Sequence, residues 1–166
     1  MTGINARTVL ALSLLVVGTV TSMNASAATA TSTMSVTASV VAACTVSASA
    51  LAFAAYSGTA VDGTADLTVN CTNDAPYTIG LGAGNGTGAT TTTRVLTGSL
   101  SGTTMNYGLY QDAAYATVWG DTVGTDTLAG TGDGADQTIP VYGRIVAGQN
   151  GSVGTYTDSV AVTVNY

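Results

Sequence analysis

The chain reads as an all-β sandwich, and three observations point there. Beyond the first 27 residues no amphipathic helical stretch of useful length occurs. Short runs of period-two alternation recur instead, and Gly, Asn and Asp stand between them. Many short strands separated by such turn signals suggest two packed sheets. Candidate strands are residues 33–40, 43–47, 51–55, 65–71, 77–81, 92–96, 106–111, 137–147 and 155–166.

The first segment is a targeting signal. Arg7 precedes an uncharged apolar run over residues 8–20, followed by Asn24-Ala25-Ser26-Ala27. A membrane span needs about 20 apolar residues. This run is shorter and ends in an Ala-x-Ala pattern, which predicts a secretory signal peptide over residues 1–27 with Ala28 as the first mature residue. An uncleaved anchor is the alternative. Removing 27 of the 166 residues leaves 139, enough for one domain with a real core.

In residues 33–40, Met34, Val36, Ala38 and Val40 alternate with Ser35, Thr37 and Ser39, which predicts a half-buried strand. The next strand, residues 43–47, follows without an Asn-Gly or Asp-Gly turn, so the two are not expected to fold back on one another. The segment is either the first strand of a self-contained sandwich or an extension from the body. Cys44 and Cys71 are the only cysteines, and a lone pair in an exported chain reads first as a disulfide. Closing that loop stabilises a fold by about 3.5 kcal/mol in the chain-entropy model.

Residues 80–88 and 120–134 are glycine-rich connections, the second also rich in Asp. Asp133-Gly134-Ala135-Asp136 lacks the regular acidic ligands and distal Glu of a calcium loop and reads as a solvated turn, so no metal is expected. Pro140 interrupts the strand from Gln137, which suits a strand start or an edge better than a sheet centre. At the C-terminus Tyr156, Val160, Val162, Val164 and Tyr166 share one face, with Thr157, Ser159, Thr163 and Asn165 on the other. Asp158 falls on the apolar side, which requires either a strand start or a polar partner.

Composition excludes several functions. Without Arg7, Arg94 and Arg144 are the only basic side chains against nine Asp, and the formal charge moves from -6 to -7. Nucleic acid binding needs clustered Lys and Arg and is not expected. Acid-base or nucleophilic catalysis finds no His, Lys, Glu or free Cys in the mature chain, so neither an enzyme nor a cofactor is expected. With charged residues at only 7%, the surface reads either as weakly protected against self-association or as one adapted to an extracellular habitat. A sugar-binding module, with Trp119 and Tyr115 as platforms, is one further reading; packing within the sandwich or its rim is the other.

Several patterns, in order, resemble the spore coat protein U domain family, which includes the subunit domain of archaic, Csu-type chaperone-usher pili. They are the alternating strand before Ala43-Cys44-Thr45-Val46, then Leu67-Thr68-Val69-Asn70-Cys71, then Asn106-Tyr107-Gly108-Leu109-Tyr110-Gln111-Asp112. Trp119-Gly120-Asp121, Ile139-Pro140-Val141-Tyr142-Gly143-Arg144-Ile145 and the finish Val162-Thr163-Val164-Asn165-Tyr166 follow. The resemblance implies an incomplete immunoglobulin-like sandwich completed by donor-strand exchange. Residues 28–42 would be an N-terminal donor extension with Met34, Val36, Ala38 and Val40 as groove fillers, and residues 43–166 the pilin-type domain. Val160, Val162, Val164 and Tyr166 would belong to the acceptor groove and chaperone contact. Ala38 is a departure, since a larger side chain would fill a groove better. The implied partners are copies of the chain or related pilins, a periplasmic chaperone and an outer-membrane usher. The implied location is the cell surface, reached through the periplasm, with a role in adhesion and biofilm; a spore-coat or surface-matrix role is the alternative.

Overall fold

Alternating sequences become strands in this chain wherever a neighbour completes their backbone hydrogen bonding. The structure is a computed structural model and describes residues 26–166, so all but the last two residues of the expected signal peptide lie outside it. The strands are β1 (Cys44–Ala48), β2 (Val61–Cys71), β3 (Pro76–Leu81), β4 (Arg94–Gly98), β5 (Thr104–Tyr110), β6 (Leu128–Thr131), β7 (Asp136–Ile145), β8 (Tyr156–Thr157) and β9 (Val162–Asn165). They form a six-stranded sheet in the order β1-β2-β7-β5-β4-β8 and a three-stranded sheet in the order β6-β3-β9.

The core lies between the sheets. β2 and β7 pair antiparallel from Val61–Ile145 to Asn70–Asp136, sending Leu67, Val69, Val141 and Ile145 inward. Tyr77, Ile79 and Leu81 come from β3, and Met105, Tyr107 and Leu109 from β5. Trp119 is fully buried and joins the layers: its amide donates to the Leu109 carbonyl and its indole N–H to the Ile79 carbonyl, each at 2.9 Å. Cys44 and Cys71 are register partners in β1 and β2 and are disulfide-bonded.

Four elements differ from the sequence reading. Residues 33–40 form no strand, because no ladder partner reaches them; Met34, Val36 and Val40 are 85%, 82% and 86% exposed rather than half-buried. Residues 51–55 likewise join no ladder, although Leu51 and Phe53 pack on the core. The Asp- and Gly-rich run holds a strand, β6, which pairs with β3. The C-terminal run is cut in two: β8 pairs with β4 in the larger sheet and β9 with β3 in the smaller, with the crossing at residues 158–161.

Asp158 anchors that break. Its Oδ1 accepts from the amides of Asn85 and Ser159, and its Oδ2 from the Tyr107 hydroxyl, all at 2.7 Å. The carboxylate thereby ties the crossing residues to the loop at Asn85 and to β5. Pro140, by contrast, sits in a central strand. The β5 ladder covers only residues 142–144 of β7, so at Pro140 the strand has β2 on one side and no neighbour on the other.

Candidate functional site

A cleft of about 920 Å³ opens between the sheets. Its interior is core surface: Leu67, Leu81, Leu96, Met105, Tyr107, Leu109, Val141 and Ile145. One wall carries Val160 and Val162; the other is the segment from Ala48 to Tyr56. That second wall lies close against the sheet because Gly63 and Gly143 face one another in the β2–β7 register. A Cβ on Gly143 would stand 2.8 Å from Leu51 Cδ1 and 2.9 Å from Phe53 Cζ, and one on Gly63 would stand 2.9 Å from the Ala52 carbonyl. Glycine inside a strand admits this approach. Phe53 then meets Tyr107 edge-on, with ring centroids 6.0 Å apart.

Both walls offer free backbone. β9 pairs with β3 along one edge only, from Thr78–Asn165 to Leu81–Val162, and stands at the edge of its sheet. Such an edge is a template for another strand. The cleft is bounded at one end, where it stops at Leu67, Leu81 and Val162 and the next inward residues, Val69 and Ile79, are fully buried. At the other end Met105 and the 151–158 segment line it.

Arg94 holds the wall in place from behind. It is fully buried, and its guanidinium donates to four carbonyls: Gly82 and Thr91 at 2.8 Å, Leu81 and Trp119 at 2.7 Å. Leu81 and Gly82 are the residues bonded to β9 and its approach, through the Leu81–Val162 pair and the Gly82 amide to the Ala161 carbonyl. Burial pushes the guanidinium below its ordinary pKa, opposed by Tyr107, Asp121, Asp158 and Asp126.

Tyr107 is the polar group of the cleft interior. Burial raises its pKa, and the hydrogen bond and charge of Asp158 raise it further, against the pull of Arg94. The unfolded chain therefore ionises this phenol first. Its contribution to stability is intact below the ordinary tyrosine range and is lost as pH climbs through it, above about 10. Urea denaturation at pH 8 and pH 11 should give a lower midpoint at pH 11. Tyr107→Phe should reduce that difference, leaving the parts due to Tyr77 and Tyr115, whose pKa values burial also raises. At pH 8 the variant should be about 1–3 kcal/mol less stable, because Asp158 loses a donor.

The residues singled out in the sequence fall in different places. Val160 and Val162 line the cleft; Val164 packs on the core outside its lining, and Tyr166 is 62% exposed. Met34, Val36, Ala38 and Val40 are exposed and form no strand. Asp133 accepts from the Ala135 amide and Asp136 from the Asn70 side chain, both at 2.9 Å, as turn and strand-end contacts. Trp119 offers no platform to a sugar because it is buried. Tyr115 is half-buried, with the Arg144 guanidinium 3.6 Å from its ring centroid and Asp62 paired to Arg144. Sequence reasoning missed the cleft interior and Arg94. The interior is assembled from distant strands, and its one local signal was the pair of mid-strand glycines, Gly63 and Gly143.

Comparison with known proteins agrees with this architecture. Residues 30–163 match the Spore Coat Protein U domain. Protein U of Myxococcus xanthus is 34% identical over 113 residues, covering 66% of this chain and 63% of that protein, so the chain matches somewhat under two thirds of that relative's length. A chain in the crystal structure of the CsuC–CsuE chaperone–tip adhesion subunit pre-assembly complex, from archaic chaperone-usher Csu pili of Acinetobacter baumannii, is similar in fold. The TM-score is 0.59 at 19% identity, covering 76% of this chain and 40% of that one. The sandwich is immunoglobulin-like, and the chain belongs to the spore coat protein U domain family.

Proposed function

We propose that this protein is a structural subunit of a chaperone-usher surface fibre, and that residues 28–42 are a donor extension whose strand fills the cleft of the next copy. The observation that carries this reading is a complementary pair within one chain: an apolar cleft with a free β-edge, and an exposed alternating segment with no ladder of its own. The family match begins at residue 30 and so includes that segment.

The chemistry is strand addition. Backbone groups of the incoming segment pair with the free edge that runs from Val160 into the start of β9, giving affinity that depends little on sequence, while Met34, Val36, Ala38 and Val40 enter the apolar interior in alternation. Each fully buried Val or Met contributes about 1.5–3 kcal/mol. Val160 and Val162 flank the inserted strand, and Val164 and Tyr166 continue β9 beyond it. Before assembly the same cleft would be capped by a periplasmic chaperone lending a strand, and an outer-membrane usher would mediate the exchange. The fibre at the cell surface would then support adhesion and biofilm formation.

Deleting residues 28–40 should leave the cleft and its chaperone complex intact and abolish fibres, as seen by electron microscopy of producing cells. Fibres made by the truncated chain would sink the proposal. The family's description names a spore coat, which favours a second reading in which the same strand insertion builds a coat or matrix layer. Fibres absent from intact producing cells, with the protein present in an extracted surface layer, would favour that reading.

A further inference from the structure

The loops at the open end of the cleft carry apolar side chains of which about half or more is exposed. Val153 is 94% exposed, Leu100 52% and Val146 49%. Leu100 lies on the β4–β5 turn and the other two on the β7–β8 connection, and the two loops are tied together. The Ser99 amide donates to the Thr155 carbonyl at 2.8 Å, and Gln149 bonds both Asn106 and the Val146 carbonyl.

At the opposite end of the domain the start of β1 is anchored. Thr72 accepts from the Ala43 amide at 3.1 Å, donates its own amide to the Ala43 carbonyl at 2.9 Å, and directs its hydroxyl to the Val41 carbonyl at 3.4 Å. The disulfide holds the adjoining residues, Cys44 and Cys71. Val41, itself 76% exposed, is therefore fixed to the body one residue after Val40.

These facts constrain how two copies meet, given the strand-insertion reading on which this inference rests. With Val40 of one copy in the cleft of another, the donor's body begins at the next residue. A body cannot enter the cleft, and the cleft is shut at the Val69 and Ile79 end, so the donor's body stands at the open end. We propose that Leu100, Val146 and Val153 form a second docking surface for another copy of this chain, covered in the assembly by the donor's body around Val41. The contact is apolar, as suits two copies that are both strongly acidic.

The test is assembly in producing cells of chains carrying both Val41→Cys and Val153→Cys. Their fibres should give a ladder of covalently joined copies on a denaturing gel without reductant, collapsing to single chains on reduction, and neither single variant should give one. Val153→Asp should leave the unfolding midpoint of the unassembled chain unchanged and make fibres shed subunits about tenfold faster. Fibres that form no ladder and keep their normal persistence with Val153→Asp would overturn the docking surface and leave strand insertion standing. A total absence of fibres, from the unaltered chain as well, would overturn both.

Discussion

Val36→Asp should abolish assembly while leaving the single chain as stable as before. Val36 is 82% exposed and lies in a segment that joins no ladder, so a carboxylate there costs the unassembled chain almost nothing. In the cleft the same side chain would enter a space walled by Leu, Val, Met and aromatic groups. Unpaired burial of a carboxylate costs several kcal/mol, and the contribution of the lost Val comes on top. Together these are comparable to what Met34 and Val40 would supply, Ala38 being small. Fibre yield and the thermal midpoint of the unassembled chain, measured on the same preparation, separate assembly from stability. A lowered midpoint would place Val36 in the subunit's own fold.

Arg94→Met should be the most damaging single change to the domain. Methionine fills part of the volume but donates nothing, so the carbonyls of Leu81, Gly82, Thr91 and Trp119 lose a shared donor in a buried place. Stranding buried acceptors costs about 1–3 kcal/mol each in the worst case, and the changes are not additive. A loss of about 3–5 kcal/mol is expected, a large fraction of the 5–15 kcal/mol typical of a domain. Arg94→Lys should be intermediate, because an ammonium has three donors and cannot span four acceptors in one plane. Urea denaturation of the purified chain checks both. Because Leu81 and Gly82 carry β9, the Lys variant should also bind a donor strand more weakly than its stability alone implies.

Much of the fold was legible from alternation. β2, β3, β5 and β7 fall where period-two runs predicted them, within a few residues, because each has one face on the core and so carries the pattern. What was not legible depends on partners far along the chain. Residues 33–40 and 51–55 have the same alternation as true strands, and only the absence of a neighbour distinguishes them. The C-terminal run reads as one strand, yet it crosses between the sheets where Asp158 binds Tyr107 and Asn85, which lie more than 50 residues away. Arg94 resembles any strand-end arginine until the carbonyls converging on it are seen. The family resemblance implied a groove, whereas the lining of the cleft, from Ala48 to Val162, needed the sheets to be assembled.

Occupation of one copy's cleft by another copy's extension would be read by amide hydrogen exchange on assembled fibres, compared with the unassembled full chain. Residues 34–40, residues 51–55 and the free edge around Val160 and Val162 should pass together from fast exchange to the slow exchange of the core. Fibres in which those three segments exchange as fast as in the unassembled chain would contradict it.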